Sequence, residues 1–307
     1  MVSSPRSSGA WALVVASLLW GTTGPAASFL PGSVSPLAVG ASTMMFGGIL
    51  LFAISAKASL TAIRDAASRR WLAVGAVGVF VYPLAFYSSM NVAGVAIGNV
   101  VSLGTGPVFA ALLEWMFERR RPSRRWATCT AGALAGILLL AWGTDRESGA
   151  LSGLTGFDIT AGVGLGLIAG FAYALYTYSS SRAIHAGTSS SAVMGGMFGL
   201  GAVALAPVLI VFGGPLLQSG QSISIAAYLA VGPMFIAYVL FGVGMRTLRS
   251  STATSITLLE PVVATLLAVV IVEERLNAGG WAGLALILTS VSALVAARQT
   301  RSGPNGQ

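Results

Sequence analysis

Very little in this sequence can do covalent chemistry. Its 307 residues include nine aspartates and glutamates, one histidine and one cysteine. The lone Cys129 cannot close an internal disulfide, and no cluster of ligating side chains has zinc-site spacing. His185 falls in a predicted loop beside Arg182, where it reads as a solvated residue. No Walker-type loop is present, which argues against ATP hydrolysis by this chain. Gly164, Gly166 and Ala169 match the looser dinucleotide spacing, but they lie inside an apolar span with no strand before them. The reading therefore assigns no catalytic residue, no metal ligand and no cofactor. Charge is scarce too: 8% of the residues carry one, far below the share in a soluble domain.

Apolar surface takes the place of charge. The chain is 55% hydrophobic, with a mean hydropathy of +0.82. Ten apolar stretches follow, roughly 10–29, 36–56, 71–90, 94–117, 126–143, 159–181, 188–212, 225–245, 251–272 and 279–297, each near the ~20 residues a bilayer-crossing helix needs. They leave only short connections and no room for a soluble domain. Arg6 before the first stretch and Pro25-Ala26-Ala27-Ser28 near its end imitate a signal peptide, but nine further spans argue that it stays as a helix.

The basic residues give an orientation. With the N-terminus inside, only Arg146 and Arg275 of the 17 lysines and arginines fall on the outer face. The positive-inside rule then places both termini in the cytoplasm. The net charge of +8 is a topology signal, and no recognition motif suggests nucleic acid as a partner.

The chain also repeats itself. Pro107 in Val95–Arg121 lies 154 residues before Pro261 in Ser251–Asn277, and both are followed by an acid–Arg pair, a tryptophan and a small-residue-rich apolar helix. Ala16–Ser28 aligns with Ala169–Ser181 at an offset of 153, which sets Trp20 over Tyr173. Five spans per half is an odd number, so the halves insert with opposite orientation. The expected architecture is an all-α membrane protein of ten transmembrane helices in two inverted-topology repeats, 10–143 and 159–297, joined by a linker at 144–158. Matching prolines predict an interrupted helix in each half, with Pro107 and Pro261 as hinges.

Deep polar residues are the informative minority. Glu260 sits roughly 14 Å into the ninth span, close to the midplane, where an acid is costly unless it has polar company. It is a candidate to carry a proton between the faces, to brace the kink as a fixed acceptor, or to bind an ammonium group. Six tryptophans fall near helix ends, as interfacial anchors do, whereas Trp20 and its mate Tyr173 lie deep. Each alone reads as packing; together, near the level of Glu260, they point to a shared cavity wall. Asn99 and Ser102 before Pro107, Ser255 before Glu260, Tyr82 beside Pro83 and Tyr238 after Pro233 complete the candidate substrate-binding set. The bland reading of each Ser or Thr is a bond to its own helix. Glu114, near the arginine cluster, is expected to snorkel to the surface. Most of the 39 glycines read as helix-packing residues, as in Gly132–Gly136 and Gly195–Gly201.

Trp20-Gly21, Pro107, and Leu259-Glu260-Pro261 with Glu274-Arg275 thirteen residues beyond the proline resemble the two EamA repeats of the drug/metabolite transporter superfamily. Glu118 follows Pro107 by only eleven residues, so the first repeat diverges. Within the superfamily the chain looks most like YddG-type amino-acid exporters. The resemblance implies a central cavity walled by spans 1, 3, 4, 6, 8 and 9, and bundles that rock to alternate access. The function expected on this basis is export of aromatic and other neutral amino acids across a bacterial inner membrane. Drugs or other metabolites are the alternative, and an intramembrane enzyme or structural protein is a remote one. The implied partners are a small-molecule substrate and the lipid bilayer; no oligomeric state follows.

Overall fold

A computed structural model describes residues 5–148, 155–271 and 276–300. The Glu274-Arg275 pair and residues 149–154 of the expected linker lie outside the described residues. Every described regular element is helical: α1 (Pro5–Gly21), α2 (Thr23–Ala27), α3 (Pro36–Ile54), α4 (Ala56–Arg64), α5 (Ala66–Ala93), α6 (Val95–Glu118), α7 (Arg124–Ser148), α8 (Gly156–His185), α9 (Ser190–Phe212), α10 (Gly220–Leu229), α11 (Ala237–Met245), α12 (Ser250–Ile256), α13 (Glu260–Ile271) and α14 (Ala278–Thr300). Among the described residues they form ten spans long and apolar enough to cross a membrane, at the ten expected places.

Local chemistry sets the helix ends. Ser35 accepts the Ala38 N–H at 3.1 Å with Pro36 in the first turn of α3, where its missing donor does no harm. Asp65 accepts the Ser68 N–H at 2.9 Å, and this bond holds its carboxyl below the usual carboxylate range. Thr155 and Asp158 form a reciprocal capping box on α8. Helix α4 was not expected. Its nine residues are too short to cross a membrane, and it buries Ser59 and Ala62, three apart on one face. Ser59 donates to the Ala192 carbonyl at the start of α9. His185 is the last residue of α8 rather than a loop residue, with Nδ1 2.8 Å from the Ser181 carbonyl.

The packing is symmetric under exchange of the halves. Span 2 packs on span 7 (α3 on α9) and span 5 on span 10 (α7 on α14). Span 3 packs on span 6 (α5 on α8), and its counterpart, span 8 on span 1, is the contact of α11 with α1. Lipid gives little hydrophobic drive between helices, so close backbone approach must hold them together. A Cβ on Gly136 of α7 would stand 2.8 Å from the Gly283 carbonyl of α14, and one on Gly283 would stand 2.6 Å from the Gly136 carbonyl. Only glycine on both sides allows that crossing.

Helical interruptions fall where they were only half expected. Span 9 breaks at Thr257–Leu259, a 3-10 turn between α12 and α13. Pro261 has no N–H to offer the Thr257 carbonyl four residues back, and the Glu260 N–H takes that carbonyl instead. Span 8 carries a π-helical segment, Ala230–Ile236, around Pro233, and span 1 is divided between Gly21 and Thr23. The expected interruption at Pro107 is absent, because α6 runs unbroken through it. Glu114 is a second correction. It does not snorkel but is buried, accepting hydrogen bonds from the Ser250 hydroxyl (2.7 Å), the Ser251 N–H (2.9 Å) and the Ser251 hydroxyl (2.8 Å). The N-cap residue of α12, Arg249, makes no side-chain cap, so the carboxylate of a different helix answers the exposed donors.

Candidate functional site

The interruptions in spans 1, 8 and 9 surround a cavity enclosing about 580 Å³ of empty space, mouth included. One wall is α5, with Tyr82, Pro83, Phe86 and Tyr87; the adjoining wall is α8, with Tyr173 and Tyr176. Trp20 and Thr23 enter from either side of the α1–α2 break, Tyr238 from α11, and Leu103 from α6. Glu260 enters from the start of α13. Span 2 contributes Gly40, Thr43 and Met44, a wall that the expected set of spans left out.

An aromatic lattice fixes these side chains. Tyr82 stacks on Phe86 at 5.4 Å between ring centroids and lies 5.7 Å from Tyr173. Trp20 packs against Tyr238 at 5.0 Å, and Tyr238 against Phe198 at 4.4 Å. Phenol groups in such a place need partners. The Tyr173 hydroxyl meets Thr257 Oγ1 at 2.6 Å, on the turn that breaks span 9, and the Tyr176 and Tyr238 hydroxyls meet at 2.7 Å. Gly106 allows this arrangement from behind, since a Cβ there would stand 2.8 Å from Tyr173 Cδ1.

The carboxylate stands apart from the lattice. Glu260 has no hydrogen-bond or ion-pair partner among the described residues, and it keeps partial exposure to the cavity. It therefore does not brace the kink through its side chain. Gly21 lets α1 lie against its backbone: a Cβ there would come within 3.0 Å of the Glu260 carbonyl oxygen. Among the described residues no group of three or more His, Cys, Asp or Glu could hold a metal.

Of the residues singled out in the sequence, Trp20, Tyr82, Tyr173, Tyr238 and Glu260 come together in the cavity wall. Asn99, Ser102 and Ser255 sit outside it. Ser255 donates to the Ser251 carbonyl and meets Thr130 of α7 at 2.9 Å, which turns it into the helix interface. Ser102 is fully buried where α6 crosses α8: a Cβ on Gly170 would stand 2.9 Å from its carbonyl oxygen. Asn99 is half-buried, one turn from the lining Leu103. Tyr176 and Tyr87 were missed as site residues. The period of α8 offered one signal, since Tyr176 lies three residues from Tyr173 and shares its face.

A helical bundle with mirrored halves and a central cavity at three broken helices is the architecture of a membrane transporter. The chain belongs to the EamA-like transporter family, which residues 7–142 and 160–296 both match. It is a multi-pass integral membrane protein with a secondary transporter's function. The uncharacterized transporter YwfM of Bacillus subtilis (strain 168) is 30% identical to it over 292 residues, 93% of each chain. A crystal structure of a protein 22% identical to it covers 97% of this chain and 100% of its own, with a TM-score of 0.78, a likeness of fold alone.

Proposed function

We propose that this chain exports drug-like molecules or other small organic metabolites by alternating access through the cavity between its two repeats. The observation that carries this reading is the wall itself: aromatic rings from both halves meet at the broken helices, beside one unpartnered carboxylate. Apolar rings with a few placed polar groups bind a range of organic bodies without fixing one. The breaks at Gly21–Thr23, Ala230–Ile236 and Thr257–Leu259 are where the bundles would swing. Export as the direction comes from the family resemblance.

Amino acids, aromatic and other neutral ones included, are the second reading. The hydroxyls of Thr23 and Thr43 favour it, because they line the same cavity and can serve a carboxylate. Counterflow in proteoliposomes tests both readings with one panel of radiolabelled aromatic amines, neutral amino acids and organic acids. Saturable counterflow of at least one class, lost when Tyr173 is replaced by Ala, is the expected result. Counterflow indifferent to that substitution would move the transport path elsewhere.

A further inference from the structure

Among the described residues, Glu260 is the only carboxylate in the cavity wall. No lysine, arginine or histidine among the described residues lines it, so an anion entering would meet no fixed positive charge there. The remaining polar side-chain groups are hydroxyls and the Trp20 indole N–H, and three of the phenols are already engaged, Tyr173 with Thr257 and Tyr176 with Tyr238. The rings of Trp20, Tyr82, Phe86, Tyr173 and Tyr238 line the cavity, and the π face of such a ring carries a negative quadrupole. Carboxylate and rings therefore attract the same kind of ligand. A cation placed between them gains an ion pair and cation–π contacts in surroundings that screen neither well. A carboxylate at membrane depth with no partner among the described residues leaves its partner to come from what enters the cavity.

We propose that the cavity takes organic monocations as its substrate class: an alkylammonium or quaternary ammonium head against Glu260, carried on an aromatic or aliphatic body held among the rings. An organic anion is rejected. A zwitterion such as an amino acid is disfavoured, because its carboxylate finds no fixed positive charge and shares the space with Glu260. This inference rests on the cavity being the transport site and adds the chemistry that selects what enters it.

A cysteine at Thr23 in a Cys129→Ser background tests it without a known substrate. The probes are a trimethylammonium-ethyl and a sulfonatoethyl methanethiosulfonate, with rates normalised to a free thiol. The cationic reagent should react faster by roughly tenfold or more, the scale of electrostatic focusing in a charged cleft. Glu260→Gln should bring the ratio close to one. Phenethylammonium should protect the cysteine, and 3-phenylpropionate should not. A ratio near one with Glu260 intact, or one unchanged by Glu260→Gln, overturns the proposal. Should Glu260→Gln fail to fold, protection alone decides, and protection by 3-phenylpropionate or phenylalanine equal to that by phenethylammonium overturns it. Failure of both reagents to react from either face of a proteoliposome would instead remove the cavity from any transport path, and the functional reading with it.

Discussion

The Glu114 carboxylate reaches across from α6 to Ser251 and takes both its backbone N–H, at 2.9 Å, and its hydroxyl, at 2.8 Å. With Trp126 Nε1 donating to the Ser251 carbonyl and Thr130 meeting Ser255, it ties α12 to α6 and α7. Beyond the 3-10 turn, α13 packs against α1 and α2 instead, so the turn divides a tethered half-helix from one that carries Glu260 into the cavity. Glu114→Ala leaves three buried donors unpaired and should lower stability by about 2–4 kcal/mol. Glu114→Gln, which keeps one acceptor oxygen, should recover part of that loss. Thermal unfolding followed by fluorescence-detected size exclusion measures both. An alanine variant as stable as the parent would show that water serves these donors equally well.

Trp20 and Tyr173 are buried yet line the cavity, which separates two roles by experiment. Trp20→Ala and Tyr173→Ala should change the relative rates of bulky and small substrates while expression stays near normal. Uniform loss for every substrate, together with poor expression, would reduce both to packing residues.

Gly136 and Gly283 face each other across α7 and α14, each with its Cβ position against the other's carbonyl. Alanine at either should destabilise by about 1–3 kcal/mol, since backbone cannot yield as a side-chain tip does. Gly164 has open space where its Cβ would stand. Gly164→Ala should be neutral or stabilising by up to about 1 kcal/mol. Equal effects at the two kinds of site would remove close approach as the reason for these glycines.

Topology is testable in a Cys129→Ser background. A cysteine in Gly214–Ser222, which runs from the end of α9 into the first turn of α10, should react with an impermeant reagent from outside the cell. One in Arg119–Arg125, which runs from the end of α6 into the start of α7, should stay protected. Labelling of both from one face would contradict an odd number of spans between them.

The Asp65 cap gives a pH signature. Its folded carboxyl lies below the ordinary range, so its contribution is present above the unfolded value near 4 and is lost as pH falls through the lower folded value. The difference in melting temperature between the parent and Asp65→Ala should hold from pH 7 to pH 5 and shrink below about pH 4. A difference constant down to pH 3 would assign it to helix propensity instead.

Sequence alone determined the ten spans, because a hydrocarbon core imposes length and apolarity on each one independently of its neighbours. It also determined the duplication, since Trp20 over Tyr173 and Pro107 over Pro261 recur at almost one offset. The depth of Glu260, Trp20 and Tyr173 followed from counting 1.5 Å per residue along a helix. Which way a deep side chain turns did not follow. Ser255 and Tyr238 are both polar candidates inside a span by sequence, yet one faces Thr130 and the other the cavity. That choice depends on the rotation of each helix against its neighbours, which the packing of several spans sets jointly. The same holds for Glu114, whose nearest arginines in sequence suggested the surface. Its partners, Ser250 and Ser251, lie more than 130 residues away and reach it only when α12 docks on α6. Pro107 and Pro261 look alike in the sequence, but only Pro261 follows a tightened turn. The tertiary structure made that distinction because Glu260 N–H and Tyr173 both find partners on Thr257, and their bonds hold the turn in place.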